Sequence, residues 1–240
     1  MLHALRYSCG MLIFAHRGIH DRRTAENTLD AFEKAVELAC DGIEFDLRLS
    51  RDAMPVVVHD ETLDRIAGDA RRVRDLSFKE LAEVELRGKG RIPNLNEITS
   101  AIFEPVQFDI EIKDRGALQP LLTKLKTSAS LRQRSIISSF VLEDLEITKK
   151  ELPEVRTLLL KNTWPYMFRG RSFWKKSKAA EVWAVGFPQN ILNRKRVAFI
   201  KRRGLNVAAY DLQPLKSHAR RITKLGVDIA IVYKAHVCLR

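Results

Sequence analysis

Short runs of apolar residues recur along the chain, and most are separated by enough residues for one helix. These runs predict strands at 12–15, 42–47, 107–113, 134–138, 155–160, 182–185, 205–210 and 228–232. Between them, apolar residues spaced three and four apart predict helices, for example over 29–39, 117–127 and 141–151. Gly204 and Gly226 each stand between a predicted helix and the next strand, as glycines that end helices do. Eight strands alternating with helices predict an α/β fold of the TIM-type (β/α)8 barrel class.

One part of the chain breaks this alternation. Residues 47 to 56 are too few for a helical crossover, which needs about a dozen residues, so 55–58 should return as a hairpin strand. Residues 61–105 then contain two short amphipathic patterns, near 77–86 and 95–103, which predict a small helical insertion after the hairpin. We expect a single domain over 1–240, with the 61–105 insertion covering the end of the barrel that carries the site.

Carboxylates alternate with apolar residues in two of the predicted strands. In IEFD, Glu44 and Asp46 point to one side of the strand, and in FDIEIK, Asp109, Glu111 and Lys113 alternate with apolar residues. Acids aimed together away from water repel one another unless a cation compensates them. An all-oxygen ligand set favours Mg²⁺, Ca²⁺ or Mn²⁺ over Zn²⁺. The alternative is that these acids only form salt bridges with basic neighbours such as Arg48, Arg51 or Lys113.

Two histidines are placed to join these acids. His16 follows the first apolar run and is followed by Arg17, a side chain suited to gripping an anion. His59 ends the hairpin strand, and a turn over 51–54 would put it opposite Asp46, with Cβ atoms about 4.5 to 5.5 Å apart. A lone histidine at a strand end is more often structural than catalytic. Two of them converging on a carboxylate cluster favour a catalytic site.

The motifs occur in the order and with the residues of a known family: HRG (16–18), ENT (26–28), IEFD (43–46), PVVVHDETLDR (55–65), IPNLNEI (92–98) and IEIK (110–113). Together they resemble the glycerophosphodiester phosphodiesterase family over most of the chain. The resemblance implies a TIM-type barrel and three sets of site residues: a general acid and base at His16 and His59, ligands of one divalent cation at Glu44, Asp46 and Glu111, and phosphate contacts at Arg17 and Lys113. Glu26 and Asn27 are expected to cap the first helix and brace the histidine loop.

The chain departs from the family pattern in three places. No proline precedes Glu26, the aromatic-Thr-Val-Asn element is replaced by residues 210–213, and the usual Thr-Asp near the end is replaced by Val232 and Tyr233. These departures concern the fit of the substrate more than the chemistry. Three functions therefore remain open: a glycerophosphodiesterase, a lysophospholipase D-type hydrolase acting at a membrane surface, and a non-catalytic barrel that binds membrane or nucleic acid.

The charge is strongly asymmetric along the chain. The formal net charge is +12; residues 1–120 contain 17 Lys and Arg against 22 Asp and Glu, whereas residues 121–240 contain 25 against 8. Such a basic half attracts anionic substrates or surfaces, and salt screens the attraction. The three cysteines, Cys9, Cys40 and Cys238, show no CxxC spacing, and no signal peptide or membrane span is recognisable. We therefore expect a cytoplasmic protein without disulfides or zinc.

One segment combines aromatic and basic residues. Residues 161–178 interleave five aromatic side chains with six Lys or Arg residues, directly after the strand at 155–160. Such a segment can settle in a lipid headgroup layer, or it can be an ordinary surface helix with its aromatics turned inward. It predicts peripheral contact with anionic membranes beside the active site. Nucleic acid is the less favoured partner, and the sequence does not predict an oligomeric state.

Overall fold

The computed structural model describes residues 10–101, 106–165, 167–212 and 216–233. Its strands are β1 (Leu12–His16), β2 (Gly42–Leu49), β3 (Pro55–Val57), β4 (Thr62–Leu63), β5 (Asp69–Arg72), β6 (Gln107–Ile112), β7 (Ser135–Ser139), β8 (Arg156–Leu160), β9 (Ala184–Pro188), β10 (Asn206–Leu212) and β11 (Ile229–Val232). Its α-helices are α1 (Leu29–Glu37), α2 (Asp64–Ala67), α3 (Phe78–Ala82), α4 (Leu95–Ala101), α5 (Leu118–Thr127), α6 (Ala129–Arg134), α7 (Leu142–Glu151), α8 (Met167–Ala179), α9 (Arg194–Lys201) and α10 (Lys216–Leu225).

Eight of these strands close into a parallel barrel. Their order is β1, β11, β10, β9, β8, β7, β6 and β2, and the pairing of β1 with β2 closes the ring. β3 adds to the outer edge of β2 as the antiparallel hairpin partner. The predicted (β/α)8 barrel is therefore confirmed. The carboxyl ends of all eight strands meet at one end of such a barrel, which is where enzymes of this fold carry their chemistry.

Side chains alternate between the inside of the barrel and its helix-covered outside. Phe14, Ile136, Leu158, Ala208 and Ile229 belong to one buried cluster that fills the interior. The intervening residues of the same strands, such as Ala15, Ile137 and Val207, pack in a larger cluster with the apolar faces of the helices. Both clusters follow from the alternation of side chains along a strand.

Two glycines near the site are required by close packing. A Cβ on Gly18, whose φ is +78°, would lie 2.7 Å from the backbone of Ala31 in α1. A Cβ on Gly42 would lie 2.2 Å from the ring of Phe14. Both distances are too short for any side chain. Glycine therefore lets the loop after β1 lie against α1, and lets Phe14 fill the barrel beside the start of β2.

The insertion contains more than the two predicted helices. Between the hairpin and α3, β4 and β5 pair as a small antiparallel sheet around α2. The helix predicted over 77–86 is limited to α3, where Ser77 and Glu80 form a reciprocal capping box. The helix predicted over 95–103 corresponds to α4, although the last two residues of that prediction lie outside the described residues. The same is true of four other residues named in the sequence analysis: Cys9, Tyr166, Gln213 and Cys238. Cys40 is buried.

Three aromatic residues of the basic segment, Trp164, Phe173 and Trp174, pack against the core. Trp164 packs against Trp174, Phe187 and Phe199 at centroid distances of 5.3 to 5.8 Å. Phe173 packs edge-to-face against Trp174. These tryptophans are partly buried against the core beside α9, whereas Arg171, Lys175, Lys176 and Lys178 are exposed. Within the described ranges, none of the helices combines the length and hydrophobicity that crossing a bilayer requires.

The exposed lysines of this segment lie far along α8. Lys175, Lys176 and Lys178 are in its last turns and face solvent. Helices of a (β/α)8 barrel run antiparallel to the strands, so this end of α8 lies at the opposite end of the barrel from the carboxyl ends of the strands. Among the described side chains of the segment, Asn162, near its beginning, lines the cavity described below.

Candidate active site

Three buried carboxylates converge at the carboxyl ends of β2 and β6. Asp46 and Glu111 are direct partners in the parallel register of these strands, and Glu44 lies two residues before Asp46. One oxygen of each side chain lies within 4.8 Å of the others. All three residues are buried. Because three carboxylates at this spacing offer only oxygen ligands, the cluster can hold a divalent cation.

The electrostatics of the cluster fit a cation. Burial raises the pKa of Glu44 well above its ordinary value, and the charges of Asp46 and Glu111 raise it further. Burial, followed by the charge of Asp46, raises the pKa of Glu111 to about 7, although Lys113 acts in the opposite direction. Glu44 Oε1 also has no hydrogen-bond partner in the described part of the chain. A divalent cation would remove the cost of ionising these acids together.

Two cationic side chains border the carboxylates. Arg17 Nε lies 3.1 Å from Asp46 Oδ2 and its Nη1 donates to Glu26 Oε1 at 2.8 Å. Its backbone N–H donates to Glu44 Oε2 at 2.9 Å, from a residue with φ of 55°. Lys113 Nζ lies 2.5 Å from Glu111 Oε1 and 3.4 Å from Asp46 Oδ1. Arg17 and Lys113 are thus placed to bind an anion next to the acids.

The alternative that the acids only form salt bridges named three basic partners, Arg48, Arg51 and Lys113. Of these, Lys113 alone pairs with the acids in the described part of the chain. Lys113 pairs with Asp46 and Glu111, as given above. Arg48 instead donates to the backbone oxygen of His59 at 2.8 Å, and Arg51 pairs with Glu80 in the insertion. The acids therefore share their environment with Lys113 and Arg17, which themselves line the cavity.

His16 lies at the end of β1 against the carboxylates. Its Nε2 is 3.9 Å from Glu44 Oε2, and its ring packs edge-to-face against Tyr233 with centroids 4.2 Å apart. Burial, followed by the charge of Arg17, lowers the pKa of His16 well below its ordinary value. The imidazole is therefore neutral at pH 7 and can accept a proton.

His59 is held by its neighbours on both sides. Its Nδ1 lies 2.6 Å from Asp60 Oδ1, and Arg48 binds its backbone oxygen. The predicted position opposite Asp46 is wrong by one residue: Leu47 pairs with Val57, and the N–H of Val58 donates to the backbone oxygen of Asp46. The reason is that only three residues, 51–53, connect the two strands between Ser50 and Met54, whose backbone groups close the turn by the N–H of Ser50 donating to the oxygen of Met54, rather than the four residues assumed. His59 lies beyond the ladder and still reaches the cavity.

One cavity collects the predicted residues. It is lined by six of the seven, namely His16, Arg17, Glu44, His59, Glu111 and Lys113. Asp46, the seventh, is fully buried and contacts both Arg17 and Lys113. Five further lining residues are apolar or aromatic, namely Phe140, Leu160, Tyr210, Ile231 and Tyr233. The cavity therefore combines charged side chains that could bind an anion with side chains suited to an organic group.

Sequence reasoning gave Asn27 only a role in the helix cap and the histidine loop, and it left Asp109 and Tyr233 without a role. Asn27, which has a positive φ, donates from Nδ2 to Asp46 Oδ2 at 2.8 Å and so orients that carboxylate. Asp109 lines the cavity beneath Glu111, and burial raises its pKa to about 7. Tyr233 supports His16. The alternation of side chains in FDIEIK could have identified Asp109 as inward-facing. The contact of Tyr233 with His16 joins residues from the two ends of the barrel sequence, so no local sequence pattern indicates it.

The fold and this site define a barrel enzyme that acts on phosphate esters: the chain is a phosphoric diester hydrolase. Residues 16–234 match the model of the glycerophosphoryl diester phosphodiesterase family, and the chain belongs to this family. The family resemblance carried by the sequence motifs is thereby confirmed. A glycerophosphodiester phosphodiesterase of Caldanaerobacter subterraneus is 32% identical over 230 residues, which cover 90% of this chain and 91% of that protein.

Solved structures have the same fold. A glycerophosphodiester phosphodiesterase from Thermotoga maritima is 26% identical with a TM-score of 0.80, covering 95% of this chain and 96% of that one. A phosphodiesterase from Oleispira antarctica has a TM-score of 0.81 at 21% identity, covering 95% of this chain and 94% of that one. The second likeness concerns the fold alone, and that protein was solved in complex with sn-glycerol-3-phosphate as product.

Proposed function

We propose that this chain hydrolyses glycerophosphodiesters to glycerol 3-phosphate and an alcohol. The observation that carries this proposal is the convergence of three carboxylates, two histidines and two cationic side chains on one cavity that is also lined by aromatic side chains. Family membership and the product complex of the Oleispira relative support the substrate class. The smallest organic group shared by such substrates, glycerol, would lie along the aromatic side chains.

A divalent cation, Mg²⁺ or Ca²⁺ with Mn²⁺ as a third choice, would be held by Glu44, Asp46 and Glu111. It would polarise a phosphoryl oxygen and offset negative charge that develops in the transition state. Carboxylate oxygens are the ligands these hard cations prefer. Asn27 and Arg17 hold Asp46 from the outside and fix the direction of its oxygens.

Arg17 and Lys113 would bind the non-bridging phosphate oxygens. The Arg17 guanidinium offers a planar fork of donors, and Lys113 a point charge. Both are already held by acids of the site, so little side-chain freedom is lost when substrate arrives. In the proposed complex, phosphate replaces part of their contact with carboxylates.

The two histidines would move the protons. His16, neutral because burial lowers its pKa, takes a proton from the attacking hydroxyl, which forms the new P–O bond. His59 gives a proton to the departing alkoxide as the bond from phosphorus to the leaving oxygen breaks. Although burial lowers the pKa of His59 overall, Asp60 favours its protonated form through Nδ1. The attacking hydroxyl is either water or the neighbouring hydroxyl of the substrate; in the second case a cyclic phosphate forms first and is then opened by water.

A substrate comparison tests the proposal. Purified protein is incubated with glycerophosphocholine or with a lysophospholipid, with added Mg²⁺ or Ca²⁺ or with EDTA, and the products are followed by ³¹P NMR. We expect glycerol 3-phosphate from glycerophosphocholine, dependent on the cation. Cleavage of the acylated substrate alone would instead establish the lysophospholipase D-type activity. Cleavage of neither, with every cation, would contradict both.

A further inference from the structure

Arg65, on the short helix α2 of the insertion, binds two carboxylates at once. Its Nη1 and Nη2 donate to the two oxygens of Glu26 at 2.9 and 2.6 Å. Its Nε donates to Asp60 Oδ2 at 2.5 Å. All three kinds of guanidinium nitrogen are used, in the planar fork that suits two carboxylates. Arg65 is half-exposed and does not line the cavity.

Each of these carboxylates in turn holds a functional residue of the site. Glu26 Oε1 accepts from Arg17 Nη1 at 2.8 Å, and Asp60 Oδ1 lies 2.6 Å from His59 Nδ1. The chain of contacts therefore runs from the proposed phosphate-binding arginine, through Arg65, to one of the two proposed proton-transfer histidines. In the contacts just described, Arg65 is the link between two loops. The loop after β1 carries Arg17 and Glu26, and the loop after β3 carries His59 and Asp60.

We propose that Arg65 is a positioning residue that sets the orientation of both Arg17 and His59. This inference rests on the proposed function for its catalytic consequence. Its structural part, the orientation of His59, stands by itself and is measurable without substrate.

The charges of the network support this role. Burial would raise the pKa of Glu26, but the hydrogen bond from Arg65 and the charge of Arg17 lower it to about 2. Burial likewise acts to raise the pKa of Asp60, but hydrogen bonds from His59 and Arg65 lower it. Both carboxylates are therefore ionised at neutral pH. An ionised carboxylate only accepts hydrogen bonds, so His59 Nδ1 carries its hydrogen toward Asp60 and Nε2 is the nitrogen available to substrate.

Without Arg65, the two carboxylates would lose their shared partner. Asp60, whose side chain is 28% exposed, would be free to rotate away from Nδ1, which would let the imidazole change its tautomer. Of the guanidinium contacts described above, Glu26 would keep only the one with Arg17. If Glu26 then moved, Arg17 could move with it, away from the position proposed for the phosphate. A lysine at position 65 would keep the charge but could not reproduce the paired hydrogen bonds to Glu26 together with the one to Asp60, because an ammonium lacks the planar fork.

The matched control is Arg71, another arginine of the same insertion. Arg71 forms an ion pair with Asp69 through two of its nitrogens, and its side chain is about as exposed as that of Arg65. None of its described contacts is with a residue of the site. We compare Arg65→Gln, Arg65→Lys and Arg71→Gln in the full chain with added Mg²⁺. Removal of partners that orient active-site groups commonly costs about 10- to 100-fold. We expect such a loss in kcat/KM for Arg65→Gln, a smaller loss for Arg65→Lys, and no change for Arg71→Gln.

Two further measurements separate positioning from stability. The ¹⁵N chemical shifts of the His59 ring should report hydrogen on Nδ1 in the wild type and in Arg71→Gln, and a mixture of tautomers in Arg65→Gln. In kinetics, we compare the double variant Arg65→Gln/Asp60→Asn with the two single variants. The loss of kcat in the double variant, expressed as a free energy, should be far smaller than the sum of the two single losses, because both substitutions act through His59.

The inference is overturned if the Arg65→Gln variant shows the same His59 ¹⁵N shifts as the wild type and the same kcat/KM as the Arg71→Gln control. This holds even if the Tm of the Arg65→Gln variant falls. Fully additive effects of Arg65→Gln and Asp60→Asn on kcat would also overturn it. A wild type that cleaves no phosphodiester would contradict the proposed function instead, and the ¹⁵N comparison would still decide whether Arg65 orients His59.

Discussion

Replacing Asp109 by asparagine should make the protein more stable at alkaline pH. Asp109 lies inside the barrel, in register with Glu44, and is 1% exposed. Neither of its oxygens makes a hydrogen bond of normal geometry within the described chain, although the Ser138 hydroxyl lies near. Burial raises its pKa from 3.8 to about 7; the Ser138 hydroxyl opposes this shift and the charge of Asp46 adds to it. The substitution would keep the shape of the side chain and remove its charge.

The sign and size follow from proton linkage. Below about pH 4 the folded and unfolded chains both hold the proton, so Asp109 contributes no pH dependence. Between pH 4 and 7 the unfolded chain releases the proton while the folded chain retains it, so the stability of the fold falls as pH rises. Each pKa unit corresponds to 1.36 kcal/mol, and the shift to about 7 gives a loss on the order of 4 kcal/mol, complete above pH 7.

Urea unfolding of wild type and Asp109→Asn at pH 4.5 and pH 8, both with EDTA, measures this difference. We expect similar free energies of unfolding at pH 4.5 and a higher value for the variant at pH 8. Asp75→Asn, at a side chain that is 64% exposed, is the matched control and should change neither. A variant that is destabilised equally at both pH values would refute the reasoning, because Asp109 would then be contributing contacts rather than a buried charge.

Three further predictions concern the site and the basic surface. His16→Ala and His59→Ala should each lower kcat by about 10² to 10⁴ and leave the fold intact; a loss below tenfold would show that histidine to be structural. Because burial and Asp46 raise the pKa of Glu111 to about 7, a divalent cation must displace a proton at lower pH. Its affinity, measured by calorimetry, should fall up to about tenfold per unit below pH 7, whereas a pH-independent affinity would argue against these ligands. Finally, each basic residue near an anionic bilayer contributes about 1 kcal/mol. Wild type should therefore co-sediment with anionic vesicles at low salt better than a variant with glutamine at Lys175, Lys176 and Lys178, and two proteins that both stay in the supernatant would remove the membrane prediction.

Much of the barrel and the identity of the site residues could be predicted from local patterns. Strands such as 107–113 are short and apolar, and the alternation of side chains places Asp109 and Glu111 on the inner face whatever the rest of the chain does. Parallel strands of a closed barrel bring their carboxyl ends together, which is why residues as far apart as His16 and Glu111 could be expected in one place.

Features that depend on loop geometry or on distant contacts could not be predicted. The position of His59 shifted by one residue because only three residues connect Ser50 to Met54, a turn in which Ala53 adopts a positive φ. The inward direction of Trp164 depends on Phe187 and Phe199, which lie on later elements. Arg65 reaches Glu26 across 39 residues of sequence, and only the folded insertion brings them together.

Diffraction from crystals grown with Mn²⁺ and glycerol 3-phosphate would locate the cation and the phosphate together, because manganese is identified by its anomalous signal. We predict one peak within about 2.0 to 2.6 Å of oxygens of Glu44, Asp46 and Glu111, with the phosphate between that ion, Arg17 and Lys113, and both His16 and His59 facing the ester oxygens. A cation bound elsewhere, or a phosphate that contacts neither Arg17 nor Lys113, would contradict this prediction.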